Sequence, residues 1–115
     1  MISIKENISL LPLNTFHIDV KARVLAEYAS ESELRELLAR YRGEQILAVG
    51  QGSNLLFTGD YPGTVLRSRI RGKEVLDRSA GDDIYVRVGA GEVMDDFIHW
   101  AAMKGLWGVE NLSAI

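Results

Sequence analysis

The amino-acid sequence predicts an α+β fold, with a small βαβ lobe in residues 1–60 and an antiparallel sheet with one helix in residues 61–115. In the first part, a stretch with the apolar spacing of a helix lies between two strand-like stretches. In the second part, short β-branched stretches alternate with glycine-containing turns, which is typical of antiparallel hairpins. A second amphipathic helix follows these stretches.

The first part contains a strand, a helix and a strand. Residues 23–29 alternate as a strand does, and Ser30 with Glu33 has the spacing of a helix capping box. Gly43 is expected to end the helix, and Ile46–Val49 is predicted to be a parallel strand covered on both faces. The helix is expected to bury one apolar face, formed by Leu34, Leu37, Leu38 and Tyr41.

In the second part, the stretches GTVLRS, KEVLDRS and DIYVRVGAG are predicted to be antiparallel strands. A helix is expected from Glu92 to Lys104, with Gly105 ending it. The tail LWGVENLSAI has loop chemistry and ends on apolar residues, so we expect the chain to be cut there. The predicted buried face of this helix consists of Val93, Met94, Phe97, Ile98, Ala101 and Ala102.

Composition narrows the possible functions. Thirteen Lys and Arg against sixteen Asp and Glu leave a net charge of −3, which does not fit a duplex-binding domain. The absence of cysteine excludes disulfides, thiolate zinc ligands and a cysteine nucleophile. No leader-like start and no long apolar stretch is present, so we expect a cytosolic protein with no nucleic-acid or membrane partner.

A glycine-rich loop, GQGSN at residues 50–54, follows the second predicted strand. A nucleoside-triphosphate loop needs Lys and then Ser or Thr after the second glycine, and a dinucleotide fingerprint needs a third glycine where Leu55 stands. Two interpretations remain. The loop is either a nest of backbone N–H groups that binds a phosphate or a structural turn.

A second loop, VGAGE at residues 88–92, also leads from a strand through two glycines to a helix N-terminus. Free N–H groups and the helix dipole favour an anion there. Together the two loops suggest an elongated diphosphate ligand. Alternatively, Gly91 only permits close packing, and Glu92 already compensates the dipole.

Five motifs carry a resemblance to a known family. In order, these are LNTFHI (13–18), VGQGSNLLF (49–57), GTVLRSRIRG (63–72), VGAGE (88–92) and GLWGVENLSAI (105–115). Their order and spacing resemble the N-terminal third of the UDP-N-acetylenolpyruvoylglucosamine reductases. The similarity covers essentially the whole chain.

The resemblance implies an FAD-binding domain of the vanillyl-alcohol-oxidase type, with non-covalent FAD and NADPH as hydride donor. It also implies reduction of the enolpyruvyl ether of a UDP-amino sugar in peptidoglycan precursor synthesis. In the family the Gly-x-Gly-Ser-Asn loop contacts the flavin pyrophosphate. The residues expected to bind the cofactor are Val49, Gly50, Gln51, Gly52, Ser53, Asn54, Leu55, Gly89, Gly91 and Ile115.

Two departures from the family pattern matter. His17 stands where many relatives have glycine, so it is either an obstacle to a ligand or a lone surface imidazole. In the family, NLSAI continues into a substrate domain that supplies the proton donor, and no counterpart occurs here. We therefore expect the substrate domain to be absent from this chain, assign no catalytic residue, and expect the chain alone to be inactive. The alternative function is a non-catalytic α/β module that binds a nucleotide or a partner.

The remaining candidates have plain structural explanations. His99 lacks the companions of a metal site, and Asp95 and Asp96 point about 100° apart on a helix. Trp100 and Trp107 could stack on a flavin or belong to the core. An arginine stripe of residues 67, 69 and 71 could attract phosphates or be solvated.

Two expectations concern the chain end and the glycine loop. Apolar residues near the end are expected to cause self-association, namely Leu106, Trp107, Val109, Leu112 and Ile115. The substitution Gly52→Val is expected to weaken FAD binding at least a hundredfold while hardly affecting the fold.

Overall fold

The computed structural model describes residues 1–77 and 81–113, and divides the chain into two compact units, Met1–Arg69 and Ile70–Ile115. The first unit contains a mixed four-stranded sheet in the order β1-β2-β4-β3. One helix, α1 (Glu31–Arg40), connects the second and third strands. The strands are β1 (Ser3–Ser9), β2 (Lys21–Tyr28), β3 (Ile46–Val49) and β4 (Tyr61–Ser68).

The predicted strand, helix and strand are confirmed as β2, α1 and β3, but β4 lies between the two strands and runs parallel to both. The prediction that GTVLRS is antiparallel is therefore wrong. Thr64, Val65 and Leu66 of β4 are almost completely buried, as is usual for a central parallel strand. Local turn signals identify a strand but do not specify its partner, so strand 61–68 belongs to the first unit.

Strand β3 lies at the edge of this sheet, and its residues alternate between exposed and half-buried. The expectation that it is covered on both faces is wrong for these residues. The other edge, β1, pairs antiparallel with β2 and was not predicted. Its sequence SIKENIS is too polar to show a continuous strand pattern.

Helix α1 begins as predicted. The N–H of Glu33 donates to Ser30 Oγ at 3.2 Å, and the Glu33 carboxylate accepts the N–H of Ala29 at 2.6 Å. Leu37 and Tyr41 are buried on the inner face, whereas Leu38 is 44% exposed. The predicted apolar face is therefore only partly buried.

The core of the first unit connects the sheet to the segment that precedes β2. Leu10 and Leu13 pack with sheet residues such as Val65. Leu13 ends a short 3₁₀ turn, Leu11–Leu13. This packing fixes residues 10–20 against the sheet, next to the loop that follows β3.

The second unit contains a confirmed antiparallel pair, β5 (Lys73–Val75) with β6 (Val86–Val88), and helix α2 (Met94–Met103). Gly105, at φ +70°, ends α2 as predicted. The N–H groups of Gly105 and Leu106 donate to Ala102 and Ala101, which is the Schellman pattern.

The apolar face of α2 is less buried than expected. Ala101 is buried, but Ala102 is exposed and the other predicted members are half-buried. A second 3₁₀ turn, Glu110–Leu112, follows the helix. Within residues 1–77 and 81–113, no helix is long and apolar enough to cross a membrane.

Candidate functional site

The glycine loop, residues 50–54, leaves the carboxyl end of β3 and lies against the segment 13–15. Gly52 has φ +77°, and a Cβ added there would lie 1.7 Å from the carbonyl oxygen of Leu13. Only glycine permits both this conformation and this close approach. Gly52 is therefore required by the fold itself, whatever the loop binds.

Thr15 holds the same loop by two hydrogen bonds. Its N–H donates to the carbonyl of Gly52 at 3.2 Å, and its hydroxyl donates to the carbonyl of Ser53 at 2.9 Å. The loop carbonyls are thus directed towards Thr15.

Three backbone N–H groups of the loop are available within the described residues. In the part of the chain that the structure describes, those of Gln51, Gly52 and Ser53 donate to no acceptor. A Cβ added at Gly50 would meet no atom within 4 Å, and Gly50 does not have positive φ. Backbone donors beside an unobstructed glycine are the chemistry of an anion-binding nest.

A charged network lies beside the loop. Arg67 Nη2 is 3.4 Å from the Gln51 amide oxygen, and Arg67 Nη1 is 3.5 Å from the carboxylate of Glu27. Arg69 Nε donates to the same carboxylate at 2.7 Å, and the Glu27 side chain is only 10% exposed. The first two arginines of the stripe thus share one buried acid, while Arg71 lies in the second unit.

The second loop uses its own backbone donors. The N–H of Gly89 donates to the carbonyl of Gly72, and that of Gly91 to the carbonyl of Ile70, both at 2.8 Å. A Cβ added at Gly89 would lie 2.4 Å from the Ile70 oxygen, so this glycine is required for close packing. Neither glycine has its N–H available for a phosphate. That both line a cofactor site stays a prediction.

Glu92, the last residue of the second loop, directs its carboxylate to residues 71–73. Its carboxylate accepts the N–H of Gly72 at 2.8 Å and lies 3.2 Å from Lys73 Nζ and 3.6 Å from Arg71. The Gly72 hydrogen bond, followed by Lys73 and Arg71, holds the pKa of Glu92 below its ordinary value of 4.5.

His17 is exposed and has φ +55°, a conformation that favours glycine. This explains why glycine suits the position. The side chain of Asn14 closes the turn of residues 14–18 that contains His17. Asn14 is buried, and no role was predicted for it. Its side chain bonds the carbonyls of Leu10 and Ile18 and accepts the N–H of Ile18, at 2.9 to 3.0 Å. An Asn that begins a polar turn is the only sequence signal for it.

Among the residues described, the histidine and tryptophan candidates show no sign of a ligand site. His99 is exposed on α2, and no group of three metal-ligating side chains occurs within the described ranges. Trp100 packs 6.0 Å from Phe97, centroid to centroid, whereas Trp107 is 80% exposed.

The remaining residues predicted to bind the cofactor lie in or beside the glycine loop, apart from Ile115. Val49 and Leu55 are half-buried at the two ends of the glycine loop, and Asn54 is exposed. Ile115 lies outside the described residues, so its role stays a prediction.

The fold is that of a small α+β domain in which a glycine loop with available backbone N–H groups follows a parallel strand. The FAD binding domain family matches residues 22–115, and the chain belongs to this family.

Similar full-length proteins agree with the resemblance seen in the five motifs. The chain is 53% identical over 112 residues to a UDP-N-acetylenolpyruvoylglucosamine reductase of Bacteroides fragilis, covering 96% of the chain and 33% of that protein. It is 45% identical over 116 residues to the enzyme of the same name from Pseudomonas aeruginosa, covering 99% and 34%. The chain thus spans about a third of the length of these relatives.

A solved structure supports the fold. The crystal structure of UDP-N-acetylenolpyruvylglucosamine reductase from Thermus caldophilus matches with a TM-score of 0.69 at 24% identity. The match covers 100% of this chain and 39% of that one. The predicted α+β architecture of an FAD-binding domain is therefore confirmed.

Proposed function

We propose that this chain is the FAD-binding part of a flavoenzyme that reduces UDP-N-acetylglucosamine enolpyruvate to UDP-N-acetylmuramate with NADPH. The names of its relatives support the reaction, and the FAD binding domain match supports the cofactor. Since the chain spans a third of those relatives, the residues that act on the sugar are assigned to the rest of the enzyme. By itself, the chain is expected not to turn over the substrate.

The glycine loop is the observation that carries the proposal. Three backbone N–H groups, from Gln51, Gly52 and Ser53, have no acceptor among residues 1–77 and 81–113 and lie beside Gly50. Donors of this kind fit the oxygens of a diphosphate, which is the part of FAD that joins its two halves. When bound, FAD supplies the hydride transfer from NADPH, and the role of these residues is to hold and orient it.

Gly50→Ala tests this role, because an added methyl group meets no atom of the first unit. Any loss of affinity then reports on the ligand. We expect FAD to bind the variant at least about tenfold more weakly, since one hydrogen bond to a charged oxygen contributes about 1.5 to 3 kcal/mol. Affinity is measured by titration of the flavin absorbance.

Gly59→Ala is the matched control, because Gly59 is also unobstructed, lies in the same unit and does not have positive φ. It should leave both FAD affinity and the unfolding midpoint unchanged. If the parent chain does not bind added FAD, or if Gly50→Ala binds FAD as tightly as the parent does, the proposal fails.

The proposal includes the location and partners expected from the sequence. A nucleotide-sugar and NADPH as substrates support a cytoplasmic location. The net charge of −3 supports the absence of a nucleic-acid partner, and we propose no membrane partner.

Exposed apolar side chains such as Trp107, at 80%, and Tyr85, at 49%, support self-association. A sedimentation coefficient that does not change with concentration would contradict self-association.

A further inference from the structure

One arginine lies beside the glycine loop, at the end of the strand that leads into it. Arg67 of β4 is the register partner of Val49, the last residue of β3, and of Glu27 in β2. Residues paired in this way project their side chains from the same face of the sheet. The Arg67 guanidinium lies between two neighbours, with Nη1 at 3.5 Å from the Glu27 carboxylate and Nη2 at 3.4 Å from the amide oxygen of Gln51 in the loop.

The charge of Arg67 is only partly compensated. Glu27 makes its shorter contact with Arg69, whose Nε donates to the carboxylate at 2.7 Å. Two guanidinium groups thus share one carboxylate, and the cluster keeps an excess of one positive charge. On its other side, Arg67 contacts a neutral group, the amide of Gln51.

Burial makes this excess charge important. The Arg67 side chain is 20% exposed, against 52% for Arg69. An ionised group that is mostly removed from water is costly unless an opposite charge or good hydrogen bonds accompany it. The contacts of Arg67 with Glu27 and Gln51 are longer than a charge-assisted hydrogen bond of about 2.7 to 2.9 Å. The guanidinium therefore keeps the capacity to bind an anion.

The loop that Arg67 contacts also holds the available backbone donors. The N–H groups of Gln51, Gly52 and Ser53 have no acceptor within the described residues, and Gln51 is the residue that Arg67 contacts. Backbone N–H groups and a guanidinium suit the same ligand, the oxygens of a phosphate group.

We infer that Arg67 belongs to the anion site proposed at the glycine loop, and that its guanidinium supplies a positive charge to the diphosphate of FAD. Glu27 holds Arg67 in place and reduces its effective charge, and Arg69 offsets part of that reduction by binding the same carboxylate. The inference rests on the proposed function, because it takes FAD as the ligand of this loop. It adds a charged side chain to a site that otherwise consists of backbone groups.

Arg67→Gln removes the positive charge but keeps a polar side chain. We expect FAD to bind about tenfold more weakly in a titration of the flavin absorbance, because a hydrogen bond between two charged groups is among the stronger polar contacts. Arg67→Lys keeps the charge without the planar fork, so its affinity should lie between those of the parent and Arg67→Gln. Arg35→Gln is the matched control. It removes the same charge from the same unit, at an exposed site on α1 where Arg35 pairs with Glu31, and should leave FAD affinity unchanged.

Glu27→Gln gives a sharper test, because its expected effect has the opposite sign. Without the carboxylate, the charge of Arg67 is less compensated, and FAD should bind at least about threefold more tightly, since charges a few Å apart interact strongly. If the pair served only to stabilise the fold, both Glu27→Gln and Arg67→Gln would bind FAD more weakly. Weaker binding by a Glu27→Gln protein that is folded by circular dichroism therefore contradicts the inference.

Salt dependence is an independent measurement that does not need the Glu27 variant. Added NaCl screens the attraction between Arg67 and a diphosphate, so the FAD affinity of the parent should fall between about 0.05 and about 0.5 M NaCl. The fall should be steeper for the parent than for Arg67→Gln, which lacks this attraction. Parallel salt curves for the two proteins would overturn the inference.

The outcomes also separate the two proposals. If Gly50→Ala weakens FAD binding and Arg67→Gln does not, the inference about Arg67 fails and the proposed function stands. Equal weakening by Arg67→Gln and Arg35→Gln would mean that the net charge of the unit, and not this site, sets the affinity, and the inference would fail as well. If the parent does not bind FAD, the proposed function fails, and with it the role of Arg67 in cofactor binding.

Discussion

The two glycine loops share one sequence pattern, a strand that leads into Gly-x-Gly, yet their structures differ. The loop after β3 leaves the N–H groups of residues 51–53 available within the described residues. The loop after β6 donates its glycine N–H groups to nearby carbonyls. It also contains its own anion, the Glu92 carboxylate, which bonds Gly72 and Lys73.

The same glycine pattern therefore has different structural roles in the two loops. Gly89 is required because the backbone of residues 70 and 71 lies too close for a side chain. Gly52 is required for the same reason, near Leu13, and also for its conformation. Gly50 differs from these two glycines because the fold leaves open space beside it.

The largest expected effect follows from Gly52→Val, which tests whether the first loop is also a packing element. The positive φ costs an L-residue about 1 to 2 kcal/mol, and overpacking against the Leu13 backbone costs about 1 to 3 kcal/mol more. We expect the free energy of unfolding to fall by about 2 to 5 kcal/mol, as measured by urea denaturation. The earlier expectation that this substitution hardly affects the fold is therefore wrong.

Gly50→Ala is the control for this comparison, since the same loop is changed at a glycine with open space. Its unfolding midpoint should match that of the parent. If Gly52→Val unfolds at the parent's urea concentration, the close contact with Leu13 is not a feature of the loop in solution.

A smaller effect is expected from the internal anion of the second loop. The folded pKa of Glu92 lies below its ordinary value, so the ionised carboxylate stabilises the second unit above about pH 4.5. This contribution should be lost as the pH falls below 4.5, through the folded pKa. Glu92→Gln should be less stable than the parent at pH 7, and the difference should shrink in acid.

Urea denaturation of both proteins between neutral pH and about pH 3 measures this change. Glu74→Gln is the control, because it removes an exposed ion pair with Arg87 on the same pair of strands and should change stability less. A stability difference between parent and Glu92→Gln that stays constant in acid would show that the carboxylate does not serve as the loop's anion.

The sequence predicted those elements whose signals are local. Ser30 and Glu33 mark the start of α1, and Gly105 marks the end of α2, because capping depends on residues close in sequence. The position of β4 was not predicted, since the choice of partner strand depends on contacts across the whole unit. The burial of β3 was overestimated for the same reason.

For the site, sequence reasoning found the first loop but not what holds it. Thr15 and Asn14 were visible only as part of a family motif, because their hydrogen bonds depend on a turn near residue 17 and a loop 38 positions away. The arginine stripe likewise gave no sign that Arg67 and Arg69 share Glu27. Pairings across strands need the register, which the local pattern does not contain.

The smallest effect is expected at His17. At Gly50 a glycine occupies a conformation that other residues can adopt, whereas at His17 a residue with a side chain occupies a conformation that favours glycine. Its φ of +55° costs about 1 kcal/mol, and His17→Gly regains this but adds freedom to the unfolded chain. We expect a gain of about 0.5 kcal/mol in urea denaturation and no change in FAD affinity. Gly43→Ala measures the same conformational free-energy cost with the opposite sign, because Gly43 has φ +80° and open space around it. Tighter FAD binding by His17→Gly would instead mean that glycine there serves ligand approach, as at Gly50.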